Sequence, residues 1–140
     1  MEYWFLFAIL SAIFAALVAI FGKIGVLGVD STLATTVRAL IMSVFLVVTS
    51  LFLGKFKLLS TIKSKTFLFI VLSGIAGALS WLFYFFALKK GPAPGVAALD
   101  RLSIVFVVIF SILVLGDKLT WKLAVGAILV TVGALLMSLK

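Results

Sequence analysis

The sequence contains no cysteine and no histidine, and only four of its 140 residues are acidic. Without cysteine the chain forms no disulfide bonds and has no thiol nucleophile, and without either residue type it lacks the usual zinc ligands. Asp100 is the one carboxylate inside an apolar run, so neither a carboxylate pair nor a nucleophile with an imidazole base can be assembled there. We therefore expect no enzymatic activity, no metal and no cofactor.

Charged residues of either sign are scarce as well. They make up 11% of the chain, whereas 66% of the residues are hydrophobic and the mean hydropathy is +1.46. A soluble domain has about a quarter charged residues and just under half apolar ones. These values exclude a water-soluble globule.

Five apolar runs predict an all-α integral membrane protein, a bundle of five transmembrane helices. About 20 residues of helix cross a bilayer core about 30 Å thick. Runs such as 104–110 do not alternate in polarity, which excludes the strands of a β-barrel. The connections are short, so residues 1–140 are predicted to form a single transmembrane domain. The predicted helices span about residues 3–22, 32–53, 66–88, 94–115 and 121–139.

The net charge of +8 is assigned to membrane topology and not to nucleic acid. Most basic residues lie between the apolar runs, where they set orientation and contact anionic headgroups. The lysines divide six to four between the two membrane faces, a weak bias that allows insertion in both orientations. The six are Lys55, Lys57, Lys63, Lys65, Lys118 and Lys122, and the four are Lys23, Lys89, Lys90 and Lys140.

Three ionisable side chains, Arg38, Asp100 and Arg101, lie inside the apolar runs. Such groups cost a few kcal/mol in a membrane helix, so they face a partner, a cavity or water. Arg38 and Asp100 each lie six residues into helices that start on the same face. Both are therefore about 9 Å below that boundary. Lys23, at the end of the first helix, adds a charge on the same side.

Helical spacing predicts which side chains accompany these charges. Thr35 and Arg38 share a stripe on the second helix, and Asp100 and Ser103 share one on the fourth. Apolar walls with a few convergent polar groups are typical of solute sites.

The third helix contributes a stripe that begins with small residues at Gly74 and ends with Trp81 and Tyr84 at the level of the charges. The predicted site for substrate and proton comprises Lys23, Arg38, Trp81, Tyr84, Asp100, Arg101 and Ser103.

Structural roles for the same residues stay open on the sequence alone. Asp100 could form an ion pair with Arg38 or Arg101 that fixes helix register. Arg101 could extend to the headgroups, and Lys23 could contact them as well. The aromatic stripe could be a belt that faces lipid.

Several segments resemble one EamA repeat of the drug/metabolite transporter superfamily. Residues 87–94 read Ala-Leu-Lys-Lys-Gly-Pro-Ala-Pro, and residues 115–121 read Leu-Gly-Asp-Lys-Leu-Thr-Trp. Gly126 and Gly133 follow at a spacing of seven.

The first part of the chain matches the repeat too, with Lys23 closing the first helix and Arg38 early in the second. The resemblance covers essentially the whole chain and indicates the short five-helix subgroup. Two positions depart from the family pattern: Asp117 stands where the repeat usually has Glu, and Asp100-Arg101 is absent from the general ten-helix pattern.

The resemblance implies a secondary transporter of small organic solutes or metabolites in a bacterial or archaeal cell membrane. Ten-helix members enclose a cavity between two repeats of opposite orientation, so an antiparallel homodimer is expected for a single repeat. Asp100 would carry the coupling proton, since burial favours its neutral form and a neighbouring arginine its charged form. The alternatives are a translocator of lipids or lipid-linked headgroups, and a membrane subunit that does not transport.

Overall fold

The computed structural model describes residues 3–139 and contains five segments long and apolar enough to cross a membrane. No more than 6% of the most apolar stretch of any span is buried inside the chain. Large apolar side chains exposed on this scale need lipid around them. The segments are α1 (Tyr3–Gly25), α2 (Ser31–Phe52), α3 (Ser64–Lys90), the pair α4 (Ala93–Asp100) and α5 (Ser103–Phe110), and α6 (Trp121–Ser138).

The chain is thus a multi-pass integral membrane protein, and the predicted all-α class with five spans is confirmed. The ends of α1, α2, α3 and α6 lie within three residues of the predicted ends. The basic connection after α2 is itself helical, because Lys55–Thr61 forms a 3₁₀ helix. Gly54 precedes it with a φ of +63°, a left-handed conformation that glycine adopts without steric cost.

The chain divides into two compact units. The first unit comprises Met1–Ile24 and Lys90–Lys140 and therefore holds nearly all of α1, with α4, α5 and α6. The second unit is Gly25–Lys89 and holds α2 and nearly all of α3.

In the second unit, Asp30 fixes the start of α2. Its carboxylate accepts hydrogen bonds from the N–H groups of Thr32 and Leu33 at 2.9 and 3.0 Å, the usual geometry of a helix N-cap. The pKa of Asp30 is held below its ordinary value, chiefly by the hydrogen bond from the Leu33 N–H. The Thr32 N–H and the positive charge of Lys89 lower this pKa further. The Lys89 ammonium also donates to the Val29 carbonyl at 2.9 Å, which ties the turn before α2 to the end of α3.

In the first unit, α4 packs closely against the end of α6. The two backbones lie close together at Gly95, where a β-carbon would be in ordinary van der Waals contact, 3.5 Å from the Met137 carbonyl oxygen. Ala93, Val96 and Ala98 of the same short helix are buried. α4 is therefore anchored on α6 by its small residues.

The predicted fourth span, about 94–115, is confirmed as Ala93–Leu115, and the helix within it is interrupted in the middle. α4 ends at Asp100, and Arg101 and Leu102 form a turn whose N–H groups donate three residues back, at 3.1 and 3.0 Å. A 3₁₀ residue turns the chain by about 120° instead of about 100°. The stripe predicted to join Asp100 and Ser103 is consequently shifted in angle, since it assumed unbroken α-helix.

The second half of this span also departs from α-helical geometry. Ser111–Leu115 forms a π-helical turn, and the span ends at Gly116 with a φ of +73°. The N–H groups of Gly116 and Asp117 both donate to the Ser111 carbonyl, which closes the widened last turn.

Candidate functional site

An open pocket of about 1020 Å³ lies within the second unit. We call it the α2–α3 groove; its lining comes from α2 between Thr32 and Ser50, from α3 between Gly74 and Leu82, and from Phe56. At about 1.5 Å per residue, the α2 wall extends about 27 Å, against a bilayer core of about 30 Å. The groove therefore runs through most of the depth that α2 can span.

Small residues create the space on the α3 side of the groove. Gly74, Gly77 and Ala78 all line it. A β-carbon built on Gly74 or Gly77 would meet no atom within 4 Å. This part of α3 therefore forms an open floor.

Hydroxyl groups follow the α2 side of the groove. Thr35 and Thr36 donate to the carbonyls of the residues four positions earlier, at 2.7 and 2.9 Å, so their lone pairs are left to accept. Ser43 and Ser50 line the groove farther along the helix.

Sequence reasoning missed Thr36, Ser43 and Ser50. The sequence feature that indicates these three residues is their seven-residue spacing, which places side chains two turns apart on one helix face. The predicted stripe through Thr35 and Arg38 lies next to this face.

Arg38 is the only charged residue among the described residues that line the groove. Its guanidinium carbon lies 3.6 Å from the centroid of the Trp81 ring and 5.6 Å from that of Phe85, a close cation–π arrangement. A guanidinium stacks on an aromatic ring through its flat face, and its N–H donors lie in the plane of the group, away from the ring. Asp30 is the one carboxylate between residues 25 and 89, and its oxygen caps α2. Within its own unit Arg38 thus has no acidic partner among the described residues.

Two further aromatic rings hold Trp81 in place. Tyr84 meets it edge to face, with ring centroids 5.6 Å apart and planes at 80°, and the buried Phe85 lies 6.2 Å from it. Trp81 lines the groove, whereas Tyr84 is not among the lining residues. Tyr84, predicted as a cavity residue, contacts Trp81 and lies outside the lining of this groove.

The remaining predicted site residues belong to the first unit. Asp100 and Arg101 form an ion pair at 3.9 Å, with 39% and 49% of their side chains exposed. Ser103 is exposed at the start of α5. The Lys23 ammonium donates to the Gly91 carbonyl at 2.9 Å. The structure therefore brings Arg38 to Trp81 in one unit and Asp100 to Arg101 in the other.

Comparison with known proteins identifies the family. The model of the EamA-like transporter family matches residues 2–139. The chain belongs to the EamA-like transporter family. This EamA-like chain is also 44% identical, over 135 residues, to a protein of Sinorhizobium sp. described as an uncharacterized transporter in the cobO 3′ region. The alignment covers 96% of each chain, and no solved structure matches.

The match to the family extends along a single EamA repeat, as the sequence pattern predicted. Membership of the EamA-like family favours a transporter over an enzyme. In this EamA-like repeat the α2–α3 groove has the composition of a small-molecule site, with mostly apolar walls, a few hydroxyls and one charge.

Proposed function

We propose that this chain is a secondary transporter that moves small organic solutes through the α2–α3 groove. The observation that carries the proposal is the groove itself, which follows α2 for most of a membrane crossing. Its glycine floor leaves room for a solute, and its hydroxyls offer successive polar contacts along the path. A structural interface between helices would be expected to fill this space with side chains.

The active form in this proposal is an antiparallel homodimer in a bacterial or archaeal cell membrane, with residues 1–140 acting as one transport domain. Transporters commonly surround a midplane site with two repeats of inverted orientation. The groove is open in a single chain, so a second copy would complete its wall. The weak six-to-four bias of the lysines between the two faces permits dual insertion, and the Sinorhizobium relative favours a bacterial membrane.

Dual insertion predicts a distinctive labelling pattern for Lys57→Cys. Lys57 is exposed in the 3₁₀ helix between α2 and α3, and the chain has no native cysteine. A maleimide that does not cross membranes should label about half of this variant in intact cells if both orientations are equally populated. Permeabilised cells should label fully and the unmodified chain not at all. Labelling of all or none of the variant in intact cells would contradict an antiparallel dimer.

In this proposal Asp100 couples transport to protons. It is the only acidic residue within the five candidate spans, and its side chain is 39% exposed. Its ion pair with Arg101 is long, so the carboxylate stays available to a proton.

Uptake by proteoliposomes tests the transport role. Vesicles that contain the purified protein are given an inward proton gradient and a mixture of soluble metabolites, and their contents are identified by mass spectrometry. We expect at least one organic solute to accumulate above the level in vesicles without protein. Movement of fluorescent lipid analogues without any soluble uptake would favour the lipid alternative. Movement of neither, under gradients of either direction, would contradict transport.

A further inference from the structure

We propose that the α2–α3 groove selects organic anions, which it binds through the guanidinium of Arg38 held on the face of Trp81. This assignment rests on the transport role proposed above and names the class of solute. The ligand carries one anionic group, such as a carboxylate, on a slender body with apolar surface and with hydrogen-bond donors for the hydroxyl oxygens of the groove.

The charges of the groove favour an anion. Arg38 is positive, and no carboxylate occurs among the described residues that line the walls. A cation would lose its water and find only a like charge, which is costly in a site of low dielectric constant. An anion binds beside the positive charge of Arg38, and this attraction offsets the free energy of hydration that the anion loses.

The geometry of Arg38 suits a planar anion. Its guanidinium carbon lies over the Trp81 ring, 3.6 Å from the centroid, so one face is covered. The N–H donors of a guanidinium lie in its plane, where two of them can donate in parallel to one carboxylate. Trp81 is itself held by the edge of Tyr84 and by buried Phe85. The donor fork is therefore positioned before a ligand arrives, which lowers the cost of binding.

The rest of the groove fits the body of such a ligand. Ser43 and Ser50 line the groove on α2 beyond Arg38, and Gly77 lines it on α3 with open space next to it. An anionic head at Arg38 would leave the attached body along this path, between hydroxyls on one side and the glycine floor on the other. A single guanidinium matches a single negative charge.

A matched pair of probes tests the charge preference. Purified protein in a non-ionic detergent is titrated with radiolabelled benzoate and with radiolabelled benzylammonium, which share a ring and differ in charge. We expect saturable binding of benzoate and none of benzylammonium. Arg38→Gln should weaken benzoate binding about 10- to 100-fold, as expected for the loss of hydrogen bonds to a charged group, and Arg38→Lys should recover part of it. Lys118→Gln, which removes an exposed charge in the first unit, should bind like the unmodified protein.

The source of the anion is distinguished in nanodiscs. If anionic phosphatidylglycerol displaces benzoate in an Arg38-dependent way and phosphatidylcholine does not, the anion is a lipid headgroup; if neither lipid displaces it, the anion is soluble. Preference for benzylammonium, absence of benzoate binding, or equal benzoate binding by Arg38→Gln would overturn the anion assignment.

The binding assay needs no gradient, so its failure leaves the uptake experiment standing. Selective benzoate binding without uptake of any solute would contradict the proposed transport role and leave the anion site supported.

Discussion

Gly77→Phe should abolish solute uptake and leave the fold intact. Gly77 lines the groove, and a β-carbon there meets no atom within 4 Å, so the new ring enters empty space instead of displacing a neighbour. Residue 77 lies one helical turn from Trp81, which places the ring beside the Arg38 stack. Because even one methylene changes the selectivity of a fitted pocket by about tenfold or more, we expect uptake to fall by more than about tenfold. The measurement is the initial uptake rate in proteoliposomes at equal protein content.

Two variants separate a blocked path from a damaged protein. Gly77→Ala keeps the groove open and favours helix, so it should transport like the unmodified chain. Ile75→Phe adds the same ring on α3 at an exposed position that does not line the groove. All three should melt at similar temperatures in detergent. If Gly77→Phe transported at the rate of Ile75→Phe, the groove would not be the route of the solute.

The spans were predictable from sequence because the thickness of the bilayer fixes how many apolar residues a crossing needs. The break at Arg101 and Leu102 was not. In α-, 3₁₀- and π-helical turns alike, the backbone N–H groups donate to carbonyls of the same segment. An apolar run therefore does not distinguish among the three kinds of turn. In this span the close approach of Gly95 to α6 holds α4 in place, a tertiary contact that the run does not encode.

The candidate site was predictable where one helix carries a clear contrast between faces. The α3 stripe from Gly74 to Trp81 is such a case, because small and aromatic residues differ strongly from the leucine and phenylalanine around them. On α2, hydroxyl residues occur on several faces near Thr35, so the sequence leaves the rotation of the helix undetermined. The structure settles the rotation by burying Ser31 and by placing Thr35, Thr36 and Ser43 along the groove.

Asp100→Asn should uncouple solute movement from the proton gradient without stopping it. For one proton per solute, a gradient of one pH unit is worth about 1.4 kcal/mol and supports about tenfold accumulation. Asparagine has nearly the same shape as aspartate, but its amide takes up no proton at the pH values of the uptake experiment. We therefore expect the variant to reach equal concentrations inside and outside the vesicle, whereas the unmodified protein accumulates the solute. The measurement is the plateau of uptake under an imposed gradient, with the rate of exchange at equal pH as the reference.

In the proposed coupling, Asp100 lies next to the joint between α4 and α5. It is the last residue of α4 and pairs with Arg101, the first residue of the turn that follows. The next two residues form the joint to α5, with hydrogen bonds of the 3₁₀ type that commonly mark hinges. In the proposed coupling, a proton on Asp100 would remove the charge that pairs with Arg101 beside this joint. Asp117→Asn, the same change at an acid outside the spans, should leave accumulation intact. Full accumulation by Asp100→Asn would exclude Asp100 as the proton carrier. Transport through the groove would then be coupled in another way.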